Sequence, residues 1–199
     1  MKNSQDSPEK FDGVDVIVFA DAKVFESWLV DNYQRQSGVW LKMGKKGSGI
    51  PSISSDEAVD VGLCWGWISG QRRSYDQSYY LQKYVPRRPK SVWSQVNVEK
   101  VAALTAVGLM KAPGLAEVAA AKEDGRWEAA YVSQRNATPP PDLIEALKEN
   151  KKAEEFFSKL SKTDQYMVIL HLVKERTTAG RMARLQKMIL MMANGEKVR

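Results

Sequence analysis

The chain has 199 residues, of which 43% are hydrophobic and 27% charged. This composition supplies a core of ordinary size and excludes wholesale disorder. No apolar run approaches the roughly 18–20 residues of a membrane-spanning helix, and the first residues lack the apolar stretch of a secretory signal. Cys64 is the only cysteine, so no intramolecular disulfide is possible, as is usual in reducing compartments. We therefore expect a soluble, cytoplasmic protein without an integral membrane segment.

The positive charge is concentrated in two parts of the chain. Thirty Lys and Arg against 24 Asp and Glu give a net charge of +6. Residues 71–100 and residues 174–199 each contain seven basic and two acidic residues, a net +5 apiece, which leaves −4 for the remainder. Such clusters favour anionic partners, from phosphates to nucleic acid. The sequence leaves open whether the two basic segments meet in space, and it does not define the oligomeric state.

The first half of the chain alternates predicted strands and helices. Residues 1–13 are polar and aperiodic and predict a disordered tail. A β-branched run at 14–20 predicts a strand, and Asp21 is placed to cap a helix carrying Val24, Phe25, Trp28 and Leu29. Residues 38–43 predict a second strand, followed by a glycine-rich loop at 44–51. A helix beginning at residues 54–57 and ending at Gly66, then two strands within 67–85, complete this half.

The second half is predicted to be helical. Ser94 or Asn97 is expected to cap a helix carrying Val101, Leu104 and Val107 that ends at Gly108, and Pro113 to start another running to about 123. Three prolines at 139–141 indicate a stiff linker. The last two helices are expected to bury two sets of residues: Tyr166, Ile169, Leu170 and Val173, then Met182, Leu185, Ile189 and Met192.

These elements predict an α+β fold, a small mixed sheet with helices followed by a C-terminal all-helical bundle. The predicted boundaries are a tail at 1–13, an α+β domain at 14–137, a proline-rich linker at 138–141 and a helical subdomain at 142–196.

Several separated motifs resemble one known family. Residues 56–68 read Asp-Glu-Ala-Val-Asp-Val-Gly-Leu-Cys-Trp-Gly-Trp-Ile, residues 86–97 read Pro-Arg-Arg-Pro-Lys-Ser-Val-Trp-Ser-Gln-Val-Asn, and residues 124–131 read Asp-Gly-Arg-Trp-Glu-Ala-Ala-Tyr. With Gly-Leu-Met at 108–110, Pro-Gly at 113–114 and the basic final helix, they resemble the YdeI/OmpD-associated (OmdA-like) family over roughly residues 16–195.

That resemblance implies a bacteriocin-protection or stress-tolerance role and an association with an outer-membrane porin. The absence of a signal argues against direct contact with such a porin. The resemblance brings no catalytic residues with it. Where family members commonly read Trp-Ile-Asp-Gly, this chain has Trp67, Ile68, Ser69 and Gly70, so we expect no activity that depends on the missing acid.

A cluster of tryptophans and arginines is the main candidate for a binding site. Guanidinium groups bind carboxylates and phosphates through two parallel hydrogen bonds, and indole rings stack on planar ligands. The alternative is that the tryptophans form the core and the arginines solvate the surface. The candidate ligand-binding residues are Trp65, Trp67, Arg72, Arg73, Arg87, Arg88, Ser91, Trp93, Arg126 and Trp127.

Other residues support weaker alternatives. Glu57 and Asp60 are three apart on a predicted helix, so they share a face and are the candidate acid–base pair of an enzyme acting on an anionic small molecule; helix-dipole complementation is the plainer interpretation. A stripe of Arg181, Arg184 and Lys187 is the candidate basic surface.

A Cys64–His171 dyad lacks an orienting third group, and one cysteine with one histidine does not suffice for a structural zinc site. We expect no metal and no cofactor. The favoured hypothesis is a non-catalytic protein that binds an anionic small molecule or a protein partner, with nucleic-acid binding less favoured.

Overall fold

The computed structural model describes residues 9–134, 136–175 and 177–198. The chain forms two compact units. The N-terminal unit extends to Ser91 and also contains Asn97–Glu128, and the C-terminal unit contains Val92–Val96 and the chain from Ala129 onward. The second unit includes Val92–Val96 because this segment is hydrogen-bonded to Tyr131, whose N–H donates to the Trp93 carbonyl at 3.0 Å and whose carbonyl accepts from the Gln95 N–H at 2.9 Å.

The N-terminal unit is built on a five-stranded mixed sheet. Its strands are β1 (Lys10–Phe11), β2 (Val14–Ile17), β3 (Val39–Gly44), β4 (Trp67–Ser74) and β5 (Tyr79–Pro86). They lie in the order β1-β2-β3-β5-β4, with β2 and β3 parallel and the other neighbours antiparallel. The parallel pair needs a crossover connection, which the helix predicted after Asp21 supplies. The predicted mixed sheet is confirmed.

The start of the chain differs from the predicted tail. Residues 1–8 lie outside the described residues, but β1 pairs with β2 through a turn at Asp12 and Gly13. Both turn residues have positive φ, 50° and 74°, as a tight two-residue hairpin requires. The Phe11 ring then meets the Trp40 indole edge-on, with centroids 5.2 Å apart. The Asp-Gly pair was the sequence signal for this hairpin.

Four helices accompany the sheet, and most begin where their caps predict. They are α1 (Ala22–Asn32), α2 (Ser55–Cys64), α3 (Gln95–Ala106) and α4 (Ala112–Glu123). The Asp21 carboxylate accepts from the Val24 N–H at 3.0 Å, and Ser54 with Glu57 forms a complete capping box. Of the two caps predicted for α3, Ser94 is the one that directly precedes it. The main core lies between α1, α2 and one face of the sheet, and includes Phe25, Leu29, Leu41, Ala58 and Trp67.

The C-terminal unit is helical, as predicted. Its helices are α5 (Pro141–Glu149), α6 (Lys151–Lys159), α7 (Lys162–Val173) and α8 (Thr178–Ala193). The predicted linker prolines start a helix, since Pro140 caps α5 and Pro141 is its first residue; proline suits this position because the first helical N–H groups have no partner. The unit begins at Ala129, ahead of the prolines. No helix among the described residues is long and apolar enough to cross a membrane.

The buried faces of α7 and α8 agree with the predicted ones only in part. On α7, Val168, Ile169 and Leu172 are buried, whereas Val173 is exposed. On α8, Ile189 and Met192 are buried as predicted, together with Met188, whereas Met182 is 57% exposed. Both helices are apolar around much of their circumference, so periodicity alone did not define the side that neighbouring helices cover.

Candidate functional site

A cavity of about 470 Å³ opens in the N-terminal unit where α1, α2 and β5 end and α4 begins. Its volume lies within the range of small-molecule sites. The cavity walls come from the turn after α1, the end of α2, the end of β5 and the first turns of α4. The lining residues are Tyr33, Gln34, Gln36, Trp65, Gly66, Pro86, Arg87, Pro113, Ala116 and Glu117. We call it the Arg87 cavity.

Two glycines bring these walls together. Gly66 has φ +73°, a conformation that favours glycine, and its carbonyl accepts from the Arg87 N–H at 2.9 Å. Gly114 of α4 lies directly on the end of α2, where an added Cβ would fall 2.2 Å from the Cys64 carbonyl oxygen. The Lys111 N–H donates to the same oxygen at 3.1 Å. The first turns of α4 are therefore fixed against α2.

The Arg87 cavity combines a buried cation, an acid and aromatic rings. Arg87 is only 5% exposed, although arginine is usually at the surface. The Tyr33 and Trp65 rings lie 5.7 Å apart, tilted by 43°. Burial raises the pKa of the Glu117 carboxyl, while the positive charges of Arg87 and Arg126 act in the opposite direction. The Trp65 Nε1 is buried without a hydrogen-bond partner among the described residues.

Comparison with known protein families gives two matches. Residues 17–117 match the family described as Domain of unknown function (DUF8412), and residues 136–195 match the family described as Bacteriocin-protection, YdeI or OmpD-Associated (OmdA). The first match covers half of the chain and contains every residue that lines the Arg87 cavity. The chain belongs to the DUF8412 family and carries a C-terminal OmdA domain. Comparison with curated proteins and with solved structures finds no significant match.

The OmdA match confirms the family suspected from the sequence, and it falls on the helical part of the chain. Only the basic final helix among the motifs that suggested the family lies within it. The tryptophan-rich motif at 56–68 lies within the DUF8412 match instead. The tryptophan-rich motif and the OmdA domain therefore lie in different parts of the chain.

Of the predicted ligand-binding residues, the DUF8412 domain places Trp65 and Arg87 in one cavity. Trp67 lies behind them in the core, 1% exposed. Its Nε1 donates to the Tyr33 carbonyl at 2.8 Å, and its ring meets the Trp28 ring edge-on at 5.9 Å. Trp67 thus supports the turn that carries Tyr33 from behind the cavity wall.

Arg72 and Arg73 lie at the opposite end of the β4–β5 hairpin. Trp67 pairs with Pro86 at one end, whereas Arg73 pairs with Leu81 near the other, about 17–20 Å away at the usual rise per strand residue. The Arg72 guanidinium lies 3.8 Å from the centre of the Tyr80 ring. These two arginines are not part of the Arg87 cavity.

A third group of predicted residues surrounds the segment after β5. The Ser91 Oγ accepts from the Arg88 N–H at 3.1 Å, and the Ser91 carbonyl accepts from the Arg126 Nη1 at 2.9 Å. Arg126 is 5% exposed, and its Nε lies 2.8 and 2.7 Å from the two oxygens of Asp124. Arg88 is exposed. Arg126 therefore ties two segments of this unit together.

The remaining tryptophans have local environments of their own. Trp93 is 1% exposed and belongs to the C-terminal unit. Trp127 is partly buried, and the Lys122 Nζ lies 5.4 Å from the centre of its ring.

Glu57 and Asp60 share a face, as predicted, and line a separate cavity of about 220 Å³. Both are engaged in structural contacts. The Glu57 carboxylate accepts from the Ser54 N–H at 2.9 Å, and hydrogen bonding with the Ser54 side chain and backbone lowers its pKa. Asp60 forms an ion pair with Lys100 at 2.7 Å.

Cys64 also lines this cavity, and burial raises the pKa of its thiol to about 11, so at neutral pH it is protonated and a poor nucleophile.

In the OmdA domain, two members of the basic stripe form ion pairs within the domain. The Arg181 guanidinium donates to both Asp142 oxygens at 2.7 and 2.9 Å and to the Leu172 carbonyl at 2.8 Å, so it joins α8 to α5 and α7. Arg184 is paired with Glu175. Lys187 is exposed and borders a cleft of about 370 Å³ with Arg184 and Glu175.

Sequence reasoning missed most of the cavity wall. Tyr33, Gln34 and Gln36 lie in an ordinary turn, and no local pattern marks them as functional. The sequence does contain a feature that could have marked Glu117 as a candidate site residue, because it is the only acid within the alanine-rich stretch 112–121. Its proximity to Arg87 depends on the packing of α4.

Proposed function

We propose that the protein is a non-catalytic binding protein of the YdeI/OmpD-associated type, and that its DUF8412 domain binds an anionic small molecule in the Arg87 cavity. The observation that carries this proposal is the position of Arg87, a buried arginine, 5% exposed, that lines a cavity of small-molecule size. A cation in such a partly desolvated place attracts anions more strongly than one at the open surface.

The shape of the cavity supports a ligand with a planar part. Arg87 adds positive charge to this wall, and an arginine guanidinium matches a carboxylate or phosphate in shape. Trp65 and Tyr33 provide ring surface beside it, and Gln34 and Gln36 provide amide groups at the same opening. The polar groups are few and the rest of the wall is carbon, as is usual for a small-molecule site.

The biological role that we propose is cytoplasmic stress or antimicrobial tolerance, with the ligand as its signal or cargo. The family description of the OmdA domain, bacteriocin protection, supports this role. The contacts of Glu57 and Asp60 favour structural roles over acid–base chemistry. In the basic segments, Arg181, Arg184 and Lys197 form ion pairs with acidic residues of the C-terminal unit, which reduces the charge available to nucleic acid.

The experiment is a thermal-shift screen of the full chain against phosphorylated metabolites, nucleotides and carboxylates, with short oligonucleotides in parallel. A ligand at about one hundred times its dissociation constant stabilises the folded state by roughly 2.7 kcal/mol. We expect a hit among small anions that Arg87→Gln abolishes. Arg88→Gln is the matched control, since its side chain is exposed next to Arg87, and it should keep the shift.

Retention of the shift by Arg87→Gln would contradict the proposal, as would hits confined to oligonucleotides. Circular dichroism of the variant distinguishes a lost ligand from a lost fold.

A further inference from the structure

Strand β4 forms an open edge of the sheet in the N-terminal unit. Within the described residues it is paired on one side only, with β5. Its residues from Ser69 to Ser74 are all exposed, so the described part of the chain leaves this edge accessible to solvent. A strand at the edge of a sheet presents unpaired backbone N–H and C=O groups, to which another extended chain can bond.

The regular part of this edge is the end that carries Arg72 and Arg73. The register against β5 shifts between Ser69 and Arg72, and a bulge of this kind interrupts regular pairing. The carbonyls of residues 70 and 71 accept from the Gln82 side chain at 2.9 and 3.1 Å. Pairing with β5 resumes at Arg72 and continues to Ser74, so these three residues are the ones that can receive a further strand.

Both arginines are available to an anionic partner. Adjacent residues of a strand point to opposite faces of the sheet, so Arg72 lies on the face that carries Tyr80, and Arg73 lies on the other face, opposite Leu81. The Arg72 guanidinium lies 3.8 Å from the centre of the Tyr80 ring, a contact that uses the flat face of the group and leaves its in-plane N–H donors for a carboxylate. Within the described part of the chain, neither guanidinium makes a hydrogen bond or an ion pair.

The charge around this edge is positive. The β4–β5 hairpin, residues 67–86, contains three basic residues, Arg72, Arg73 and Lys83, and one acid, Asp76. The Asp76 carboxylate is engaged in the turn, where it accepts from the N–H groups two and three residues further on, both at 2.7 Å. A second copy of this chain that paired through the same three residues would bring arginine against arginine, which is destabilising. The same charges attract an acidic strand.

We propose that the edge of β4 from Arg72 to Ser74 binds an extended acidic segment of another protein, which adds to the five-stranded sheet as a further strand. Two consecutive acidic residues of that segment lie opposite Arg72 and Arg73, one on each face of the sheet. Residues directly opposite in an antiparallel pair have Cβ atoms about 4.5–5.5 Å apart, within reach of charge-assisted hydrogen bonds. The surface is separate from the Arg87 cavity, so this proposal does not depend on the proposed function.

The test uses fluorescence anisotropy of labelled ten-residue peptides with the full chain. The acidic probe is Thr-Val-Thr-Val-Glu-Glu-Val-Thr-Val-Thr, whose flanks favour strands. The basic probe has Lys-Lys in place of Glu-Glu. The proline probe keeps Glu-Glu but has proline at the two adjacent valines, because proline cannot donate to a strand ladder. We expect the acidic probe to bind at least about tenfold more tightly than either of the others.

Charge reversal of the two arginines should invert the preference for acidic over basic probes. The double variant Arg72→Glu, Arg73→Glu should bind the acidic probe at least about tenfold more weakly and the basic probe more tightly. Lys23→Glu combined with Arg88→Glu is the matched control, since it changes the net charge equally at two other exposed positions of the same unit, and it should leave both affinities unchanged. A misfolded variant would lose both probes, whereas the proposal requires one to gain.

Four results would overturn the proposal. Equal binding of the proline probe would show attraction by charge without strand pairing. Binding of a ten-nucleotide oligothymidylate more tightly than the acidic probe, with dependence on Arg72 and Arg73, would assign the edge to nucleic acid. Self-association of the unaltered chain that the double variant abolishes, measured by analytical ultracentrifugation, would assign it to a second copy. Equal binding of the acidic and basic probes would show that the arginines select no partner.

Discussion

Replacement of Gly114 by alanine should change the free energy of unfolding in two opposite ways. Higher helix propensity would raise it, and the close packing of α4 on α2 would lower it. Alanine is favoured over glycine inside helices by up to about 1 kcal/mol. Gly114, however, lies where a Cβ would fall 2.2 Å from the Cys64 carbonyl oxygen and 2.8 Å from that of Leu63. Both obstacles are backbone atoms, so α4 must move away from α2 by about 1 Å to reach ordinary contact.

That movement would break the 3.1 Å hydrogen bond from the Lys111 N–H to the Cys64 carbonyl, worth about 1 kcal/mol. Forcing atoms into a filled interior costs about 1–3 kcal/mol. After subtraction of the propensity gain, we expect Gly114→Ala to lower the free energy of unfolding of the N-terminal unit by about 1–3 kcal/mol. Because α4 carries Glu117 and Pro113, the variant should also bind cavity ligands less tightly.

Urea denaturation followed by tryptophan fluorescence measures the change. Ala119→Gly, on the exposed side of the same helix, is the control and reports propensity alone, a loss of about 1 kcal/mol. A Gly114→Ala protein that is as stable as the unaltered chain, or more so, would refute the close contact between α4 and α2.

Three further predictions concern single residues. Hydrogen bonding to Arg181 lowers the pKa of Asp142. The contribution of this ion pair to the free energy of unfolding is therefore present above the unfolded pKa near 4, and it is lost as the pH falls through the lower folded pKa. Arg181→Ala should cost up to about 1 kcal/mol more at neutral pH than in strong acid, since the pair is partly exposed and screened and only the hydrogen bond to the Leu172 carbonyl persists in acid, as urea titrations at several pH values will show. The Cys64 thiol, whose pKa burial raises to about 11, should resist a chromogenic disulfide reagent at pH 8 until urea is added; rapid reaction of the native protein would contradict its burial. Gly108→Ala, at φ +71° with open space around it, should cost about 1–2 kcal/mol from backbone strain alone in thermal unfolding, and an unchanged midpoint would argue against the left-handed turn.

Local signals in the sequence predicted the elements of the fold well. The helix predicted to begin at residues 54–57 does so, with a capping box formed by Ser54 and Glu57. Helix α3 ends at Ala106, two residues before the predicted Gly108, and the Leu109 N–H is bonded to the Leu104 carbonyl at 3.0 Å. These features depend on residues within a few positions of one another. At Ser161, Asp164 stands where a capping box has Glu or Gln; its shorter side chain accepts from the serine hydroxyl at 2.8 Å, and its N–H donates to the hydroxyl oxygen at 3.1 Å.

The candidate site was predicted only in part. Trp65 and Arg87 were both named from the sequence, and the structure places them in one cavity. Arg72 was assigned to the same cluster because it is close in sequence, but an extended strand carries it away from the cluster. Nearness along a chain indicates nearness in space within a helix turn or a tight hairpin, and fails along a strand of eight residues.

The sequence by itself therefore determined most of the places where helices and strands begin and end, the mixed character of the fold and the resemblance to the OmdA family. Caps, turns and proline positions are short-range interactions that a few adjacent residues specify. Only the tertiary structure decided which faces of α7 and α8 are buried and which charges meet in the Arg87 cavity. Glu117 lines the same cavity as Arg87 because α4 packs on the end of α2 through Gly114, a contact between residues distant in sequence that no local pattern encodes.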